Sequence, residues 1–493
     1  MIPSTPRWLF WGCFVALITT SFGFLLRALL MDTWAAEFHL TETQKGELFG
    51  VGLWPFAISI ILFSLFIDRI GYKTAMWFGL ACHVASLVLT LGATSYEGLY
   101  WANFIVALGN GTVEAYINPV VATQFREAKT RWLNILHAGW PAGMVIAGII
   151  AVALGDAVGW KTKMCLILLP AIAYAVILAF QRFPVNERVA AGVSYRAMLG
   201  EVGAVGAFLV TWLIAAELLR SLGLSTQPLM HGAIIGTVVA AATFAAVRSL
   251  GRPLFLIMLL IMIPLATTEL GVDSWVAGLM QPVLGDNGIW VLIYTATLMM
   301  LLRFCAGPIV HRISPLGLLT VCAGLAALGL VALSQATTGA LIFLAATLYA
   351  AGKAFFWPTM LGIVAEQCPR GGALTLNATG GVGMLGVGIF GAMLLGNIQD
   401  RTVDSRIARA DPALHAAITV EHQGLLGSYH AVDEAKAGAL DGGQAALLKT
   451  ARDGAKQEAL LAVAALPAGM LLCYAGLAWH FRRRGGYKPA EVG

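Results

Sequence analysis

Long runs of apolar residues alternate with short polar segments along almost the whole chain. Most runs are close to the roughly 20 residues that a helix needs to cross the hydrocarbon core of a bilayer. The pattern therefore predicts an all-α polytopic membrane protein. About fourteen transmembrane helices are predicted, at residues 8–34, 46–67, 74–93, 96–123, 132–154, 164–180, 202–222, 232–247, 254–279, 288–310, 316–334, 340–364, 373–395 and 459–480.

Basic residues occur in the loop after every second predicted helix. Basic loops usually remain in the cytoplasm, so this alternation predicts that both termini are cytoplasmic. It also supports the number of helices. The expected location is the bacterial inner membrane, as a multi-pass protein. The basic segments are 68–73, 126–131, 182–196, 248–252, 311–312, Arg370 and the tail 481–493.

The composition excludes several other classes of protein. Of the 493 residues, 59% are hydrophobic and only 12% are charged, which no soluble class shows. The net charge of +5 comes from scattered basic residues, so no nucleic-acid partner is expected. The seven cysteines lack metal-binding spacing, and neither a nucleotide-binding loop nor a nucleophile elbow occurs. No metal, cofactor or enzymatic activity is therefore expected.

One long segment between the last two predicted helices is not apolar. Residues 398–458 are rich in charge and alanine, and the order of the helices places them on the outer side. The stretches 411–420 and 444–457 have helical composition, which is compatible with a helical hairpin that caps the protein. A solvated loop without a role in transport is the preferred interpretation.

Four short similarities recur in the same order in the first six and the last six predicted helices, as in transporters with duplicated halves. They predict one six-helix bundle at residues 1–183 and a second at 253–480. Residues 184–252 would then form a linker and two inserted helices. The similarities are Asp32-Thr33-Trp34 with Asp273-Ser274-Trp275, Asp68-Arg69 with His311-Arg312, Glu114 and Lys353 each five residues before Pro119 and Pro358, and Leu133-Asn134 with Leu376-Asn377.

The loop after the second predicted helix, residues 64–73, resembles the loop signature of the major facilitator superfamily. The segment 303–312 resembles the same signature in the second half, without its acid. The resemblance implies the major facilitator fold, in which two six-helix bundles alternate access to a central site, and a monomeric protein. The gating residues that it implies are Asp68, Arg69, Gly71, Arg303 and Arg312.

Within the superfamily, the fourth and fifth predicted helices resemble those of the fucose–proton symporter family. The resemblance implies that Glu114 takes part in proton coupling and sugar binding. The acid of that family's first helix has no counterpart at the same depth, and Arg27 lies nearer its level. Two of the matching glycines, Gly109 and Gly111, are also predicted to let a neighbouring helix approach closely. The matching residues are Gly109, Gly111, Glu114, Asn118, Pro119, Arg131, Leu133, Asn134 and Gly143.

Glu114 is an acid at membrane depth, where an acid is costly and usually faces a bundle interior or a wet cavity. Asn118, one helical turn further on, shares its helix face. Arg27 lies near the middle of the first predicted helix and is expected to pair with Glu114, which would offset the cost of burying either charge. Glu269 lies in the equivalent helix of the second half. The candidate proton-coupling residues are therefore Glu114, Arg27 and Glu269, with a purely structural ion pair as the alternative.

Further polar and aromatic residues at similar depth are candidates for solute binding. Lys353 stands where the first half has Glu114 and can attract an anion as a point charge. His137 can relay protons, since an unperturbed histidine titrates near neutral pH. The indole rings of Trp140 and Trp357 can stack on a sugar ring, although each of these residues can also serve packing alone. The candidates are Asn118, Asn134, His137, Trp140, Lys353, Trp357 and Asn377.

These observations predict a secondary active transporter that moves a small polar solute together with protons through the bilayer, with a sugar as the preferred solute. A carrier of organic anions or acidic sugars is the first alternative, because Arg27 and Lys353 supply positive charge. A peptide carrier is the second, since such carriers also insert two helices between their halves. The third is a non-transporting receptor or scaffold, in which the segment 398–458 would bind the partner.

Overall fold

The computed structural model describes residues 6–40, 42–273, 276, 280, 283–424 and 427–492. Within these ranges, twelve helices are long and apolar enough to cross a membrane by length and composition. The other two predicted positions also hold helices: Tyr96–Gln124, which has many polar residues, and Ile289–Phe304, which has 16 residues. The prediction of an all-α polytopic membrane protein with about fourteen spans is confirmed.

Several spans consist of two consecutive helices. The helices up to the predicted linker are α1 (Pro6–Phe38), α2 (Glu42–Gly50), α3 (Trp54–Ile70), α4 (Tyr72–Leu91), α5 (Tyr96–Gln124), α6 (Lys129–His137), α7 (Gly139–Leu154), α8 (Trp160–Cys165) and α9 (Leu168–Ala179). The linker and the inserted pair contain α10 (Glu187–Ala190), α11 (Tyr195–Ser221) and α12 (Pro228–Val247). We call the helices up to α9 the N-terminal half.

The helices from α13 onward are called the C-terminal half, and the domain boundaries themselves stay a prediction. These helices are α13 (Pro253–Ala266), α14 (Ile289–Phe304), α15 (Ala306–Arg312), α16 (Pro315–Gln335), α17 (Gly339–Lys353), α18 (Phe356–Gln367), α19 (Gly372–Gly386), α20 (Ala392–Ala410), α21 (Pro412–Ile418), α22 (Glu434–Ala437), α23 (Gly442–Val463) and α24 (Ala465–Arg483). Two π-helical turns, Thr267–Gly271 and Val387–Gly391, continue α13 and α19.

Helix α5 lies at the centre of the N-terminal half, where two glycines let its neighbours approach closely. A Cβ atom on Gly111 would lie 2.2 Å from the carbonyl oxygen of Phe56 in α3. A Cβ atom on Gly109 would lie 2.8 Å from the Cβ atom of Cys82 in α4. The close approach predicted at both glycines is confirmed. The faces of α5 that carry Gly109 and Gly111 are therefore occupied by α4 and α3.

The inserted helices α11 and α12 pack mainly against each other. Gly232 and Gly236 of α12 lie against the α11 backbone near Trp212, and the indole N–H of Trp212 donates to the Leu229 carbonyl at 2.9 Å. The remaining surface of α12 is apolar and exposed, with Val238 at its centre. Such a surface is compatible with contact to lipid chains.

The segment between the last two spans is a folded unit, which corrects the preferred interpretation as a solvated loop. Helices α20 and α23 extend from the spans, and strands β1 (Thr419–Gly424) and β2 (Gly427–Val432) form an antiparallel hairpin between them. The unit has its own apolar core because both helices present apolar residues to each other. That core contains Val403, Ile407, Leu414, Ile418, Leu448, Ala451 and Ala455.

Both ends of the chain lie at the same end of the bundle as the basic loops. The Phe10 ring contacts the rings of Phe125 and Trp132 at centroid distances of 5.8 and 5.0 Å. The Tyr487 hydroxyl donates to Glu366 Oε2 at 2.8 Å. We call this end of the molecule the basic end.

Candidate functional site

A small cavity lies between the two halves at the middle of the bundle. Its volume is about 20 Å³, which is room for a water molecule rather than for a solute. Residues of α3, α5, α6 and α7 meet residues of α14, α18, α19 and the first π-helical turn. Its lining consists of Phe56, Glu114, His137, Trp140, Glu269, Leu270, Arg303, Trp357 and Met384.

On the N-terminal side, three polar side chains form a hydrogen-bonded chain. The Asn118 amide donates to Glu114 Oε2 at 2.6 Å, as their shared helix face predicts. The Asn118 Oδ1 atom lies 3.0 Å from His137 Nε2. Because an amide oxygen only accepts, His137 carries its proton on Nε2. Glu114 is 3% exposed and forms no ion pair within the described residues.

Arg303 joins the two halves. Its Nη1 donates to the His137 carbonyl at 2.7 Å, its Nη2 to Glu269 Oε1 at 2.7 Å, and its Nε to the Ala354 carbonyl at 2.6 Å. The side chain is 1% exposed. The sequence motif suggested a place near the loop, beside Arg312, whereas the structure places Arg303 at the central cavity. A gating role for Arg303 stays a prediction.

Glu269 lies on the π-helical turn Thr267–Gly271, whose wider backbone distinguishes it from the helix on either side. Besides the ion pair with Arg303, its Oε2 accepts a hydrogen bond from the backbone N–H of Trp357 at 3.2 Å. The carboxylate is therefore held on both oxygens. Such turns occur often at functional sites, which agrees with the position of Glu269 at the cavity.

Lys353 is neutralised by a partner that the sequence did not indicate. Its ammonium forms an ion pair with Asp273, and it lies 4.9 Å from the centroid of the Tyr349 ring. The Tyr349 hydroxyl donates to the Thr268 carbonyl at 2.6 Å, which positions that ring. Lys353 is fully buried beside the cavity rather than lining it. Of the predicted repeat that includes Asp273, Ser274 and Trp275 lie outside the described residues.

Arg27 does not pair with Glu114, so this prediction is wrong for the conformation described here. Its Nη2 donates to Ser86 Oγ at 2.9 Å and its Nη1 to the Gly23 carbonyl at 3.2 Å. Arg27 is buried within α1, but its side chain contacts α4 instead of the central cavity. A role for Arg27 in proton coupling stays a prediction.

Two predicted solute-binding amides instead connect the halves. Asn134 donates to Thr359 Oγ1 at 3.1 Å as well as to the Thr130 carbonyl at 2.8 Å. Asn377 donates to the Ala115 carbonyl at 3.0 Å. Both are fully buried. They lie outside the lining of the central cavity, whereas Trp140 and Trp357 belong to it.

The predicted gating residues of the N-terminal half lie at the turn between α3 and α4. Gly71 lies between the two helices and has a φ of +82°, a backbone conformation that glycine adopts readily. Asp68 forms an ion pair with Arg188 of the linker helix α10 at 2.5 Å, and the Arg69 guanidinium lies 5.4 Å from the Tyr195 ring centroid. Arg312 is exposed at the end of α15.

The basic end is closed by contacts between the halves. The backbone N–H and the hydroxyl of Thr130 both donate to Glu366 Oε1, at 3.1 and 2.6 Å. The Lys129 ammonium donates to Glu187 at 2.6 Å and to the Ala365 carbonyl at 3.3 Å. The sequence gives little indication of these contacts. Glu366 and Ala365 lie more than two hundred positions away from Thr130 and Lys129 in the chain.

The buried acids at and beside the central cavity differ in whether they have a cation partner. Two acids, Glu269 and Asp273, each have a cation at contact distance, and these buried charges therefore compensate each other. Glu114 has only the Asn118 amide as its hydrogen-bond partner within the described residues. The carboxyl group of Glu114 can therefore gain or lose a proton without breaking an ion pair.

Comparison with known proteins identifies the class that this fold and this central site define. A sequence profile of the Major Facilitator Superfamily matches residues 9–392. The chain belongs to that superfamily, which confirms the resemblance seen in its loop and helix motifs.

Individual relatives are transporters of different solutes. A 148-residue stretch is 32% identical to the riboflavin transporter MCH5 of Saccharomyces cerevisiae, covering 28% of this chain and 27% of that protein. A 172-residue stretch is 27% identical to the cis,cis-muconate transport protein of Acinetobacter baylyi, covering 34% of this chain and 40% of that protein. The matches thus span less than half the length of either relative.

Among solved structures, the Escherichia coli fucose:proton symporter FucP has a similar fold. The TM-score is 0.57 with 14% sequence identity, over 94% of this chain and 98% of FucP. This likeness concerns the fold, and the solute of the present protein has to be argued from its own site.

Proposed function

We propose that the protein is a secondary transporter that couples the movement of a small polar solute to protons, with Glu114 as the protonation site. The observation that carries the proposal is Glu114 itself: a buried carboxyl group at the central cavity whose neighbouring acids have cations while it has none. An isolated charge at this depth is costly, so solute entry, proton binding and movement of the halves are coupled at this residue.

The surrounding residues support a sugar as the solute. The indole groups of Trp140 and Trp357 line the cavity from opposite halves, and aromatic faces pack well against the apolar faces of sugar rings. Asn118 and His137 supply hydrogen-bonding groups next to Glu114. When the halves separate, these groups become available to hydroxyl groups of a solute, while protonated Glu114 becomes a hydrogen-bond donor.

The test is uptake by proteoliposomes that contain Glu114→Gln. A glutamine resembles the protonated acid but cannot release a proton, so we expect uptake driven by a pH gradient to be lost while solute exchange at equal concentrations persists. Glu97→Gln is the matched control, because Glu97 is an exposed acid in the first turn of the same helix. Gradient-driven uptake that survives Glu114→Gln with its pH dependence unchanged would contradict the proposal.

A carrier of organic anions is the second candidate. Arg303 places a guanidinium group at the central cavity, and a guanidinium recognises carboxylates through paired hydrogen bonds. The muconate relative transports a compound with two carboxylates. Of the other cations predicted for this role, Lys353 lies beside the central cavity rather than in its lining, and Arg27 lines a different cavity. Competition between labelled solute and a panel of neutral sugars and dicarboxylates distinguishes the two candidates. Inhibition of uptake by the sugars alone supports the sugar carrier, and inhibition by the dicarboxylates alone supports the anion carrier.

A further inference from the structure

A second cavity lies inside the N-terminal half, near the break between α2 and α3. Its volume is about 30 Å³, which is room for a water molecule or a small ion. Its polar lining consists of Arg27, Asn103 and Asn110, and its apolar lining includes Phe24, Phe49 and Val106. No acid belongs to this lining among the described residues.

Arg27 is a buried cation without a counter-charge in the described part of the chain. The side chain is 7% exposed, and its two hydrogen bonds go to neutral oxygens of Ser86 and Gly23. Its Nε has no acceptor. Asp32, five residues further along α1, is exposed and ion-paired with Lys45 at 2.9 Å. A buried charge without a partner is strongly unfavourable, so this site requires a negative charge from elsewhere.

Two asparagines add hydrogen-bond donors beside Arg27. Asn103 is 4% exposed, and its side chain forms no hydrogen bond within the residues that the structure covers. The Oδ1 atom of Asn110 accepts from His83 Nε2 at 3.0 Å, and the His83 Nδ1 lies 3.2 Å from the Tyr174 hydroxyl. Since the oxygen of Asn110 is already occupied by His83, its amide N–H groups are the part left for the cavity.

We propose that this cavity binds a small monovalent anion, either a carboxylate group or a halide ion. The guanidinium of Arg27 would supply the compensating charge, and the amides of Asn103 and Asn110 would supply the neutral donors. The small volume and the apolar walls exclude a bulky anion. The same groups would recognise a small free carboxylate such as formate or an inorganic halide ion.

The site is separate from the central cavity, although the two are adjacent. The Phe24 ring lies 5.9 Å, between centroids, from the Trp140 ring of the central cavity and 5.9 Å from the Phe49 ring. Helix α5 contributes to both cavities: Asn103 and Asn110 to the second, Glu114 to the first. The proposal does not depend on proton coupling at Glu114, because it concerns equilibrium binding to the resting protein.

The experiment measures the thermal stability of the purified full-length protein in detergent. The buffer is zwitterionic, and the sodium salts of formate, chloride and the bulky disulfonate PIPES are added at equal sodium concentration. An anion that binds the folded state raises the melting midpoint, and the increase grows as the anion concentration exceeds its dissociation constant. We expect formate or chloride to raise the midpoint and PIPES to leave it unchanged. Whichever small anion acts at the lower concentration identifies the source, a small free carboxylate or an inorganic ion.

Variants assign the effect to the cavity. Arg27→Gln should abolish the response to small anions, whereas Arg406→Gln, which removes a half-buried arginine outside both cavities, should retain it. Asn103→Ala should raise the concentration at which the response begins by about tenfold, because one hydrogen bond to the anion is lost. An equal response to all three salts, or an unchanged response in Asn103→Ala or Arg27→Gln, would overturn the proposal. Asn103→Ala decides the question if Arg27→Gln does not fold.

Discussion

At the scale of single residues, Arg303 is a buried charge that depends on its partners from both halves. Each of its three guanidinium nitrogens donates a hydrogen bond, to the carboxylate of Glu269 or to the carbonyls of His137 and Ala354. The desolvation of both charges is offset only while both partners are present. Arg303 therefore contacts both halves, and its positive charge is neutralised by one carboxylate, that of Glu269.

Removing that carboxylate should be more harmful than removing the whole pair. In Glu269→Gln, Arg303 remains buried without its counter-charge, so we expect a loss of about 3–5 kcal/mol of stability. The additional change Arg303→Gln should restore part of that loss, because neither charge of the pair is then left buried without its partner. The measurement is the denaturation midpoint of the two purified variants in detergent. A double variant less stable than Glu269→Gln would show that the pair is net stabilising and that this reasoning is wrong.

The roles of individual residues were only partly predictable from sequence. The neighbourhood of Glu114 and Asn118 follows from helical periodicity, since residues four apart share a face. The expected Arg27–Glu114 pair failed because hydropathy gives the depth of a residue in its span but not the direction in which its side chain faces. The partners of Arg303 and Lys353 depend on how distant helices are rotated against each other, which no local pattern records.

At the scale of elements, short contacts between α6 and α18 close the basic end. Glu366 of α18 accepts from both the backbone and the hydroxyl of Thr130 at the start of α6. These bonds involve a charged acceptor and exist only while the two halves are in contact. They stabilise the closed arrangement relative to any arrangement in which the halves separate here.

We expect Glu366→Ala to open the basic end more often. The native thiol of Cys368 is a suitable reporter, because it is buried in a small cavity between the halves at this end. Each hydrogen bond to a charged group contributes about 1.5–3 kcal/mol, so the rate of thiol labelling should rise by at least about tenfold. The more accessible cysteines Cys165, Cys305 and Cys473 are first replaced by serine.

The control for this experiment is Tyr487→Phe. It removes the hydrogen bond from the tail to Glu366 but leaves both bonds from Thr130 intact. Labelling of Cys368 should therefore stay at the level of the unchanged protein. Equal acceleration in both variants would mean that the tail, rather than the contact between the halves, protects the thiol.

Element positions were the most predictable level of this structure. Over the described residues, each of the fourteen predicted spans coincides with one helix or with consecutive helices and helical turns, because length and apolarity are local properties. By contrast, the sequence favours a solvated loop for residues 399–458, whereas the structure shows a folded unit with its own core. Its core forms between α20 and α23, which are separated by about thirty residues, and the β-hairpin between them has no strong alternation of apolar residues.

At the scale of the whole molecule, the folded unit between the last two spans and the helical bundle have separate apolar cores. The unit is joined to the bundle through α20 and α23, which continue from the spans. Its β-hairpin and the helices α21 and α22 lie beyond those connections. The folding of the bundle should therefore not require them.

We expect the two halves to function without that distal part. Replacing residues 412–441 by a short Gly-Ser linker keeps α20 and α23 paired, so solute uptake should remain within about twofold of the unchanged protein, as is usual for tolerated changes at exposed segments. Uptake per mole of protein in proteoliposomes is the measurement. Loss of uptake by a variant that inserts and melts normally would show that the unit takes part in transport or in recognition.

The small size of the central cavity has a consequence for how tightly the protein holds its solute. With room for about one water molecule, the closed arrangement cannot be the one that binds. The measured dissociation constant then equals the intrinsic constant divided by the fraction of molecules that are open. Substitutions far from the cavity can therefore tighten apparent affinity simply by making the open form more common, without any new contact to the solute.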